Sequence, residues 1–217
     1  YASYSTSFLP QPGTDANGDP FKPTEAKQYE VGVKYQPPGV NASVTLAAFD
    51  ITQKNTLTTD PNDEIYQVQV GEIRSRGLEL EAVASVLDGL DVVGSFTYQD
   101  VEITQSNDGD QGNRPSGTPK YLAALWADYT QPTGPLQGLG AGAGVRYVGS
   151  SYGDNAHEAR ENDAYTLVDA AVHYEWNSLR LGINATNLFD KDYIITQDGY
   201  TYRGEGRTVM ASLRYRW

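Results

Sequence analysis

The last stretch of the chain, residues 206–217, alternates strictly between two kinds of side chain. One row is apolar and aromatic and contains Val209, Ala211, Leu213, Tyr215 and Trp217, whereas the intervening row is mostly polar. Because successive side chains of a strand point to opposite faces, this period of two predicts a β-strand. Aromatic rings at the end of the apolar row are typical of a strand that crosses hydrocarbon and is anchored at the bilayer surface.

The same alternation recurs along the chain and predicts ten strands and no helix. The predicted strands cover residues 1–8, 27–36, 41–51, 74–86, 90–100, 121–130, 139–149, 165–176, 179–186 and 206–217. Short connections at 37–40, 87–89, 131–138 and 177–178 alternate with long ones at 9–26, 52–72, 101–119, 150–163 and 188–205. Short turns at one rim and long loops at the other are typical of an antiparallel transmembrane β-barrel. A soluble all-β domain has similar strand spacing and is the alternative.

Composition excludes several other classes of protein. The chain has 217 residues and a net charge of -12, which argues against nucleic acid as a partner because phosphate binding needs a basic surface. It has no Cys, which excludes disulfides and thiolate metal sites. No run approaches the ~20 apolar residues of a membrane helix, and the start lacks a basic and apolar leader. We therefore expect either that a signal peptide has been removed or that residue 1 lies inside a longer protein.

Several motifs carry a family resemblance. The segment NLFDKDY at 187–193, GRT at 206–208 and LRYRW at 213–217 resemble the C-terminal signature of TonB-dependent outer-membrane receptors. The stretches YASYSTSF, KQYEVGVKY, VTLAAFDI and RSRGLELEA, and the Gly94–Tyr98 segment, resemble the ferric-siderophore branch. The resemblance implies a barrel of about 22 strands, closed by an N-terminal plug domain, that takes up iron chelates with energy from the TonB complex.

We expect residues 1–217 to be the C-terminal part of such a barrel, without the plug and without the TonB-contacting box. The short turns are then periplasmic and the long loops extracellular. A barrel of about eight strands is just filled by its own side chains, so ten closed strands leave little room for a bulky chelate. Two alternatives stay open, namely a complete ten-stranded outer-membrane barrel acting as adhesin or surface enzyme, and a soluble all-β binding module.

The polar rows are predicted to line a hydrated lumen and to dock the plug by ion pairs, although a solvated wall with no partner explains them as well. The candidate plug-facing residues are Glu30, Glu79, Glu81, Arg146, Asp169, Arg180 and Arg214. Nothing around Glu79 and Glu81 organises a reaction, so no catalytic residue and no cofactor are predicted. His157 and His173 are far apart in sequence, and the acidic runs Asp15–Asp19 and Asn107–Asp110 lack full calcium-ligand spacing, so no metal site is predicted.

Aromatic and polar residues in the long loops are candidates for ligand contact, because the resemblance implies an aromatic chelate pocket at the outer vestibule. They are Phe8, Tyr66, Tyr152, Gln197, Tyr200, Tyr202 and Arg203. The loops are rich in carboxylates, and a negative rim favours a neutral hydroxamate-type ferric siderophore over a triply anionic catecholate complex. The resemblance also implies that Tyr215 and Trp217 form a signal for the barrel-insertion machinery, although anchoring in outer-membrane lipid is a sufficient alternative.

Overall fold

The computed structural model describes residues 1–158, 161–198 and 200–217, and these residues form strands and turns. In chain order the strands are β1 (Ala2–Leu9), β2 (Thr24–Tyr35), β3 (Ala42–Asp60), β4 (Asp63–Leu87), β5 (Leu90–Gln105), β6 (Tyr121–Thr130), β7 (Leu139–Val148), β8 (Ser151–Tyr152), β9 (Glu161–Asn162), β10 (Tyr165–Trp176), β11 (Leu179–Thr186), β12 (Ile194–Asp198), β13 (Tyr200–Arg203) and β14 (Thr208–Tyr215). No helix in the described ranges is long and apolar enough to cross a membrane.

Ten of these strands form one sheet in the order β1-β2-β3-β4-β5-β6-β7-β10-β11-β14, and every neighbouring pair is antiparallel. The prediction of ten antiparallel strands is therefore confirmed. The remaining four strands form two small ribbons, β8-β9 and β12-β13, within the long connections. In the described part of the chain β1 pairs only with β2 and β14 only with β11, so the sheet is open at both edges.

The apolar rows of neighbouring strands stand in register on one face of the sheet. Leu46 pairs with Leu80 and Leu80 pairs with Phe96, and these three side chains are 39–51% exposed. Among the described residues only Ala47, Ile103 and Leu167 are buried hydrophobic residues. A soluble sandwich would bury such rows against a second sheet. The exposed apolar face instead identifies the surface that contacts lipid, as the alternation predicted.

The height of the apolar band matches a bilayer. On β4 the outward side chains are apolar from Leu78 to Val86, about the 9–11 residues that a tilted transmembrane strand needs. Above this band the outward pairs become charged, with Arg76 opposite Asp100 and Arg74 opposite Glu102. Aromatic rings mark both borders of the band. The outward aromatic residues are Tyr4, Tyr29, Tyr98, Tyr121 and Tyr147 at the upper border and Tyr35, Tyr129, Tyr174, Trp176 and Tyr215 at the lower one.

The predicted loop at 52–72 is wrong, because β3 and β4 continue through it as a long hairpin. The two strands have 19 and 25 residues and are joined by a tight turn at Pro61 and Asn62. The segment is rich in Thr, Val, Ile and Tyr, which favour strands. Above the bilayer both faces of the hairpin meet water. This part of the sequence therefore lacks the alternating apolar row from which a strand could have been predicted. Likewise, β5 extends to Gln105, which shortens the predicted loop at 101–119.

Charged pairs on the outward face of this hairpin replace the apolar row above the bilayer. Arg74 donates hydrogen bonds to both carboxylate oxygens of Asp50, and Lys54 lies 3.2 Å from Glu72. The hydrogen bond from Arg74 lowers the pKa of Asp50, outweighing its partial desolvation. The Asp50 carboxylate therefore stays ionised at neutral pH at the level where lipid gives way to water.

Asn187 organises the connection from β11 to β14. It is buried and adopts a left-handed backbone with φ of 49°, which Asn tolerates better than most residues. Its side-chain oxygen accepts from the Lys191 amide at 2.8 Å, and its amide group donates to the carbonyls of Lys191 and Glu205 at 2.9 and 3.1 Å. Its backbone N–H donates to Asp169 Oδ1 at 2.9 Å, which ties the connection to the sheet. The family-like motif at 187–193 therefore has a structural role.

We predict that Asn187→Ala lowers the free energy of unfolding of the full-length protein by about 1–3 kcal/mol, because partly buried backbone groups of Lys191 and Glu205 lose their partners. Denaturant titration in detergent micelles measures this change. The control is Asn184→Ala, since the Asn184 side chain is exposed and makes no hydrogen bond to the described residues. Equal losses in the two variants would contradict the role of Asn187.

We predict that Leu80→Arg destabilises the full-length barrel by about 2–4 kcal/mol, because it puts a charge on the lipid-facing surface near mid-height. The matched control is Ser95→Arg, since Ser95 faces inward opposite Glu81. Guanidinium unfolding in lipid vesicles should show little change for the control. A larger loss for Ser95→Arg would mean that the two faces have been assigned the wrong way round.

Candidate ligand vestibule and luminal wall

The inward face of the ten-stranded sheet carries the predicted luminal residues. Glu79 and Glu81 occupy successive inward positions of β4, are exposed and make no hydrogen bond or ion pair to the described residues. Glu30 on β2 accepts hydrogen bonds from the Tyr1 hydroxyl at 2.7 Å and from Gln28 Nε2 at 2.9 Å. The acidic side of the wall therefore presents two carboxylates that remain free to bind a further group.

The other predicted luminal charges are largely neutralised within the wall. Arg146 and Asp169 form a two-point ion pair with distances of 2.6 and 3.1 Å, a geometry that planar guanidinium groups favour. Arg180 Nη1 lies 2.7 Å from Glu175 Oε1 on the neighbouring strand. Arg214 lies directly opposite Arg180 on β14 and has no such partner in the described residues. Sequence alone did not reveal which of these charges pair.

A depression of about 610 Å³ lies between β6 and β14 on this wall. On one side Trp126 lies flat over the glycine row of β7, and a Cβ atom on Gly142 would come within 2.6 Å of its ring. Beside it, His173 is buried, with Nε2 2.9 Å from Thr130 Oγ1. The alternating glycines are visible in the sequence, but their role in accommodating an indole appears only in the structure.

The extracellular connections are joined side by side by hydrogen bonds from side chains to backbone. Gln69 of the long hairpin accepts from the Lys22 amide at 2.6 Å and donates to the Lys22 carbonyl at 2.5 Å. On the other side of the hairpin, the Thr59 amide donates to Asp108 Oδ1 at 2.8 Å and Asn107 donates to the Thr59 carbonyl at 3.0 Å. The hairpin therefore links the connections that precede and follow it.

The connections after β5 and β7 form a second joined pair. Asn155 accepts from the side chain of Asn113 at 2.9 Å and from the Ser116 amide at 2.8 Å. His157 Nε2 donates to the Arg114 carbonyl at 2.9 Å, and the His157 ring stacks on Tyr152 with centroids 3.7 Å apart. The Arg114 guanidinium carbon also lies 5.3 Å from the centre of the Tyr152 ring. Tyr152, a predicted ligand residue, is therefore part of the contact between the two loops.

A second depression, of about 370 Å³, opens at this rim above the Arg146–Asp169 pair. Gln197 and Arg203 both line it, together with Tyr165 and Tyr193, whose ring centroids are 4.4 Å apart. Tyr165 faces inward because it precedes inward Leu167 by two positions on β10. We call this depression the vestibule pocket. Two of its tyrosines were not among the predicted ligand residues. Tyr165 was assigned to a strand and Tyr193 to the family-like motif, whereas the candidates were chosen from the rest of the long loops.

The other candidate ligand residues are dispersed. Tyr200 and Tyr202 lie on β13 and are highly exposed, and Tyr152 pairs with Glu161, which lines the vestibule pocket. Phe8 pairs with Glu25 and shares the outward face with Tyr4, and Tyr66 lies on the hairpin of β3 and β4. The structure therefore brings Gln197 and Arg203 together and places Phe8 and Tyr66 on distant strands.

Comparison with known proteins identifies the family. The family model described as TonB dependent receptor-like, beta-barrel matches residues 1–188. The ferrichrome outer membrane transporter/phage receptor of Escherichia coli (strain K12) is 42% identical, over 100% of this chain and 30% of that protein. The ferrioxamine B receptor of Salmonella typhimurium is 36% identical, over 99% of this chain and 31% of that protein. The siderophore receptor PiuA of Acinetobacter baumannii superposes with a TM-score of 0.82 and 28% identity, over 99% of this chain and 33% of that chain.

The chain thus spans about 30% of the length of the curated relatives it matches. An open sheet with a lipid-facing surface is what part of a larger barrel would show. Members of this family are receptors and transporters of the outer membrane of Gram-negative bacteria. Because the family model matches residues 1–188 and the fold agrees, the chain belongs to the TonB-dependent receptor β-barrel family.

Proposed function

We propose that residues 1–217 form the C-terminal part of a receptor that takes up a ferric siderophore across the outer membrane with energy from the TonB complex. The observation that carries this proposal is the open ten-stranded sheet, lipid-facing on one side and polar on the other. Ten strands alone would not enclose a bulky chelate. The relatives include a ferrichrome transporter and a ferrioxamine B receptor, which supports a ferric siderophore as the cargo.

The proposal assigns partners to parts of the protein outside residues 1–217. A plug domain would fill the lumen and contact the free carboxylates of Glu79 and Glu81, and an N-terminal box would contact TonB. Iron enters as cargo within the chelate, and no resident cofactor and no catalytic activity are proposed. A complete ten-stranded barrel acting as adhesin or surface enzyme would pair β1 with β14, and the described residues make no such pair.

We propose the vestibule pocket as the ligand contact of this segment. Tyr165 and Tyr193 offer aromatic surface, and Gln197 and Arg203 offer polar groups, which is the usual composition of small-molecule sites. Three carboxylates, Glu161, Asp163 and Asp192, also line the pocket and outnumber its two cations, Lys191 and Arg203. Their charge repels a triply anionic catecholate complex, so the proposed ligand is a neutral hydroxamate-type ferric siderophore.

The ligand class is tested with the full-length receptor at low ionic strength. We predict that ferrichrome, as a neutral probe, binds more tightly than a triply anionic ferric catecholate. Added salt should improve catecholate binding by screening the repulsion and leave ferrichrome nearly unchanged. Tighter binding of the catecholate at low salt would reject the proposed class while leaving siderophore uptake intact.

The pocket itself is tested with Tyr193→Leu, which removes an aromatic ring and should weaken ferrichrome binding by about tenfold, roughly 1.4 kcal/mol. The comparison variant is Tyr66→Leu on the distant hairpin, for which we expect a change below about twofold. Isothermal titration of the full-length receptor measures both. If Tyr66→Leu weakened binding and Tyr193→Leu did not, the ligand would contact the hairpin and not the vestibule pocket.

We propose that Tyr215 and Trp217 also act as a signal for the barrel-insertion machinery. Tyr215 faces outward at the lower border, and Trp217 is fully exposed at the end of the chain. Deleting Trp217 should reduce the amount of folded receptor in the outer membrane more than Tyr129→Ala does, since Tyr129 is an aromatic residue of the same border. Equal reductions would leave only an anchoring role for Trp217.

A further inference from the structure

The acidic run at residues 107–110, in the connection after β5, lies against the long hairpin of β3 and β4. Asp108 Oδ1 accepts from the Thr59 amide at 2.8 Å, and Asn107 Nδ2 donates to the Thr59 carbonyl at 3.0 Å. Gly109 separates Asp108 from Asp110 and has a φ of 78°, a left-handed conformation that turns the run sharply. These contacts hold two carboxylates of the run beside the end of β3.

Two oxygen atoms in this contact region are buried and have no hydrogen-bond partner among the described residues. One is Oδ1 of Asp110, a residue that is 5% exposed, and the other is Oγ1 of Thr58, which is 4% exposed. Burying a carboxylate oxygen without a partner is costly, because its charge loses hydration and gains nothing in return. Buried polar atoms in folded proteins nearly always have a partner. Both atoms therefore indicate a partner that the described side chains do not supply.

The hairpin turn beside these oxygens is also acidic. Asp60 follows Thr59 directly and stands opposite Asp63 across the hairpin. Like charges in such a pair destabilise the two strands unless something compensates them. Within residues 1–158, 161–198 and 200–217, none of Asp60, Asp63, Asp108 and Asp110 forms an ion pair. This corner of the rim therefore concentrates carboxylates without a cationic side chain to balance them.

We propose that Asp110, Thr58 and Asp108 bind a calcium ion that fastens the connection after β5 to the hairpin of β3 and β4. The protein ligands would be Asp110 Oδ1, Thr58 Oγ1 and the Asp108 carboxylate oxygen that does not bond to Thr59. Backbone carbonyls and water would complete the six to eight oxygen ligands that Ca²⁺ takes. The ion would supply the positive charge that the buried oxygen of Asp110 lacks.

The chemistry of the donor atoms favours calcium over other cations. All of them are hard oxygen atoms, whereas transition metals prefer nitrogen or sulfur ligands. No group of three or more His, Cys, Asp and Glu side chains in the described ranges could hold a metal ion, so only two carboxylates would contribute. Few charged ligands give weak affinity, as in extracellular calcium modules, and the long connections lie on the extracellular side. Magnesium demands a near-ideal octahedral site and keeps much of its own water.

The sequence pattern could not predict this site. The run at 107–110 lacks the spacing of a complete calcium loop, because a single segment would have to carry all the ligands. In the structure Thr58 belongs to a different strand and comes next to the run only through the contacts of Thr59.

The test is a calcium titration of the full-length receptor in detergent micelles after treatment with EDTA. The probe is CaCl₂ alone, and the readout is hydrogen exchange of Thr59 and residues 106–110. We expect half-saturation between about 0.1 and 1 mM, the range of extracellular modules. Exchange should be about tenfold slower when calcium is about ten times its Kd. MgCl₂ at the same concentration should slow exchange less than about twofold. Absence of slowing by calcium, or equal slowing by magnesium, would overturn the inference.

Asp110→Asn locates the effect, since it removes the charge and keeps the shape of the side chain. We expect the calcium concentration for half-protection to rise at least about tenfold, because affinity follows the charge of the ligands. The matched control is Asp19→Asn, which removes one charge from the other acidic run, where Asp19 is exposed. The control should change the calcium concentration less than about twofold. Equal changes in the two variants would contradict the proposed site.

Thr58→Val serves if Asp110→Asn does not fold. Replacing a buried hydroxyl that has no partner by a methyl group of similar shape is neutral or stabilising, so this variant should fold. If the hydroxyl is a calcium ligand, Thr58→Val should weaken calcium protection about fivefold, the loss of one neutral ligand. Unchanged protection would overturn the inference. None of these measurements uses a siderophore, so the calcium site and the proposed function can fail separately.

Discussion

The structure depends on one constraint, which is that backbone N–H and C=O groups in hydrocarbon must find partners within the protein. Nine antiparallel pairings satisfy these groups across the described sheet, and each of the eight inner strands pairs with the main-sheet strands before and after it. This local connectivity leaves only the outer edges of β1 and β14 unpaired. In a bilayer those edges require pairing partners, and the chain spans only 30% of the length of the ferrichrome transporter of Escherichia coli that it matches.

The register of the backbone pairing also decides which side chains share a face of the sheet. Pairs such as Leu46 with Leu80 keep the apolar rows aligned, so the opposite rows collect the polar groups. On that face Arg146 pairs with Asp169 and Arg180 with Glu175, whereas Glu79, Glu81 and Arg214 make no ion pair to the described residues. The Arg146–Asp169 pair is also bound to the Asn187 amide, which connects the wall to the segment carrying Tyr193. The vestibule pocket is thus supported from below by a salt bridge of the sheet.

The extracellular rim is held together by polar contacts of side chains, whereas backbone hydrogen bonds between strands hold the sheet. Gln69, Asp108 and Asn155 each bond to the backbone of a neighbouring connection. Loops that are bound to each other lose less conformational entropy when a ligand arrives, so such a rim is preorganised for binding. The same contacts explain why Tyr152, an attractive ligand candidate by residue type, is engaged by His157 and Arg114.

The sequence by itself determined the all-β class, the number of main strands, the face that meets lipid and the rim with short turns. It could do so because a bilayer imposes a strict two-residue alternation on every spanning strand. Only the tertiary structure decided the continuation of β3 and β4 beyond the bilayer, the pairing of Arg146 with Asp169, and the contact between the tilted rings of Tyr165 and Tyr193. Above the membrane both faces of a strand are wet and the alternation disappears. Contacts between distant segments depend on strand register, which a local pattern does not specify.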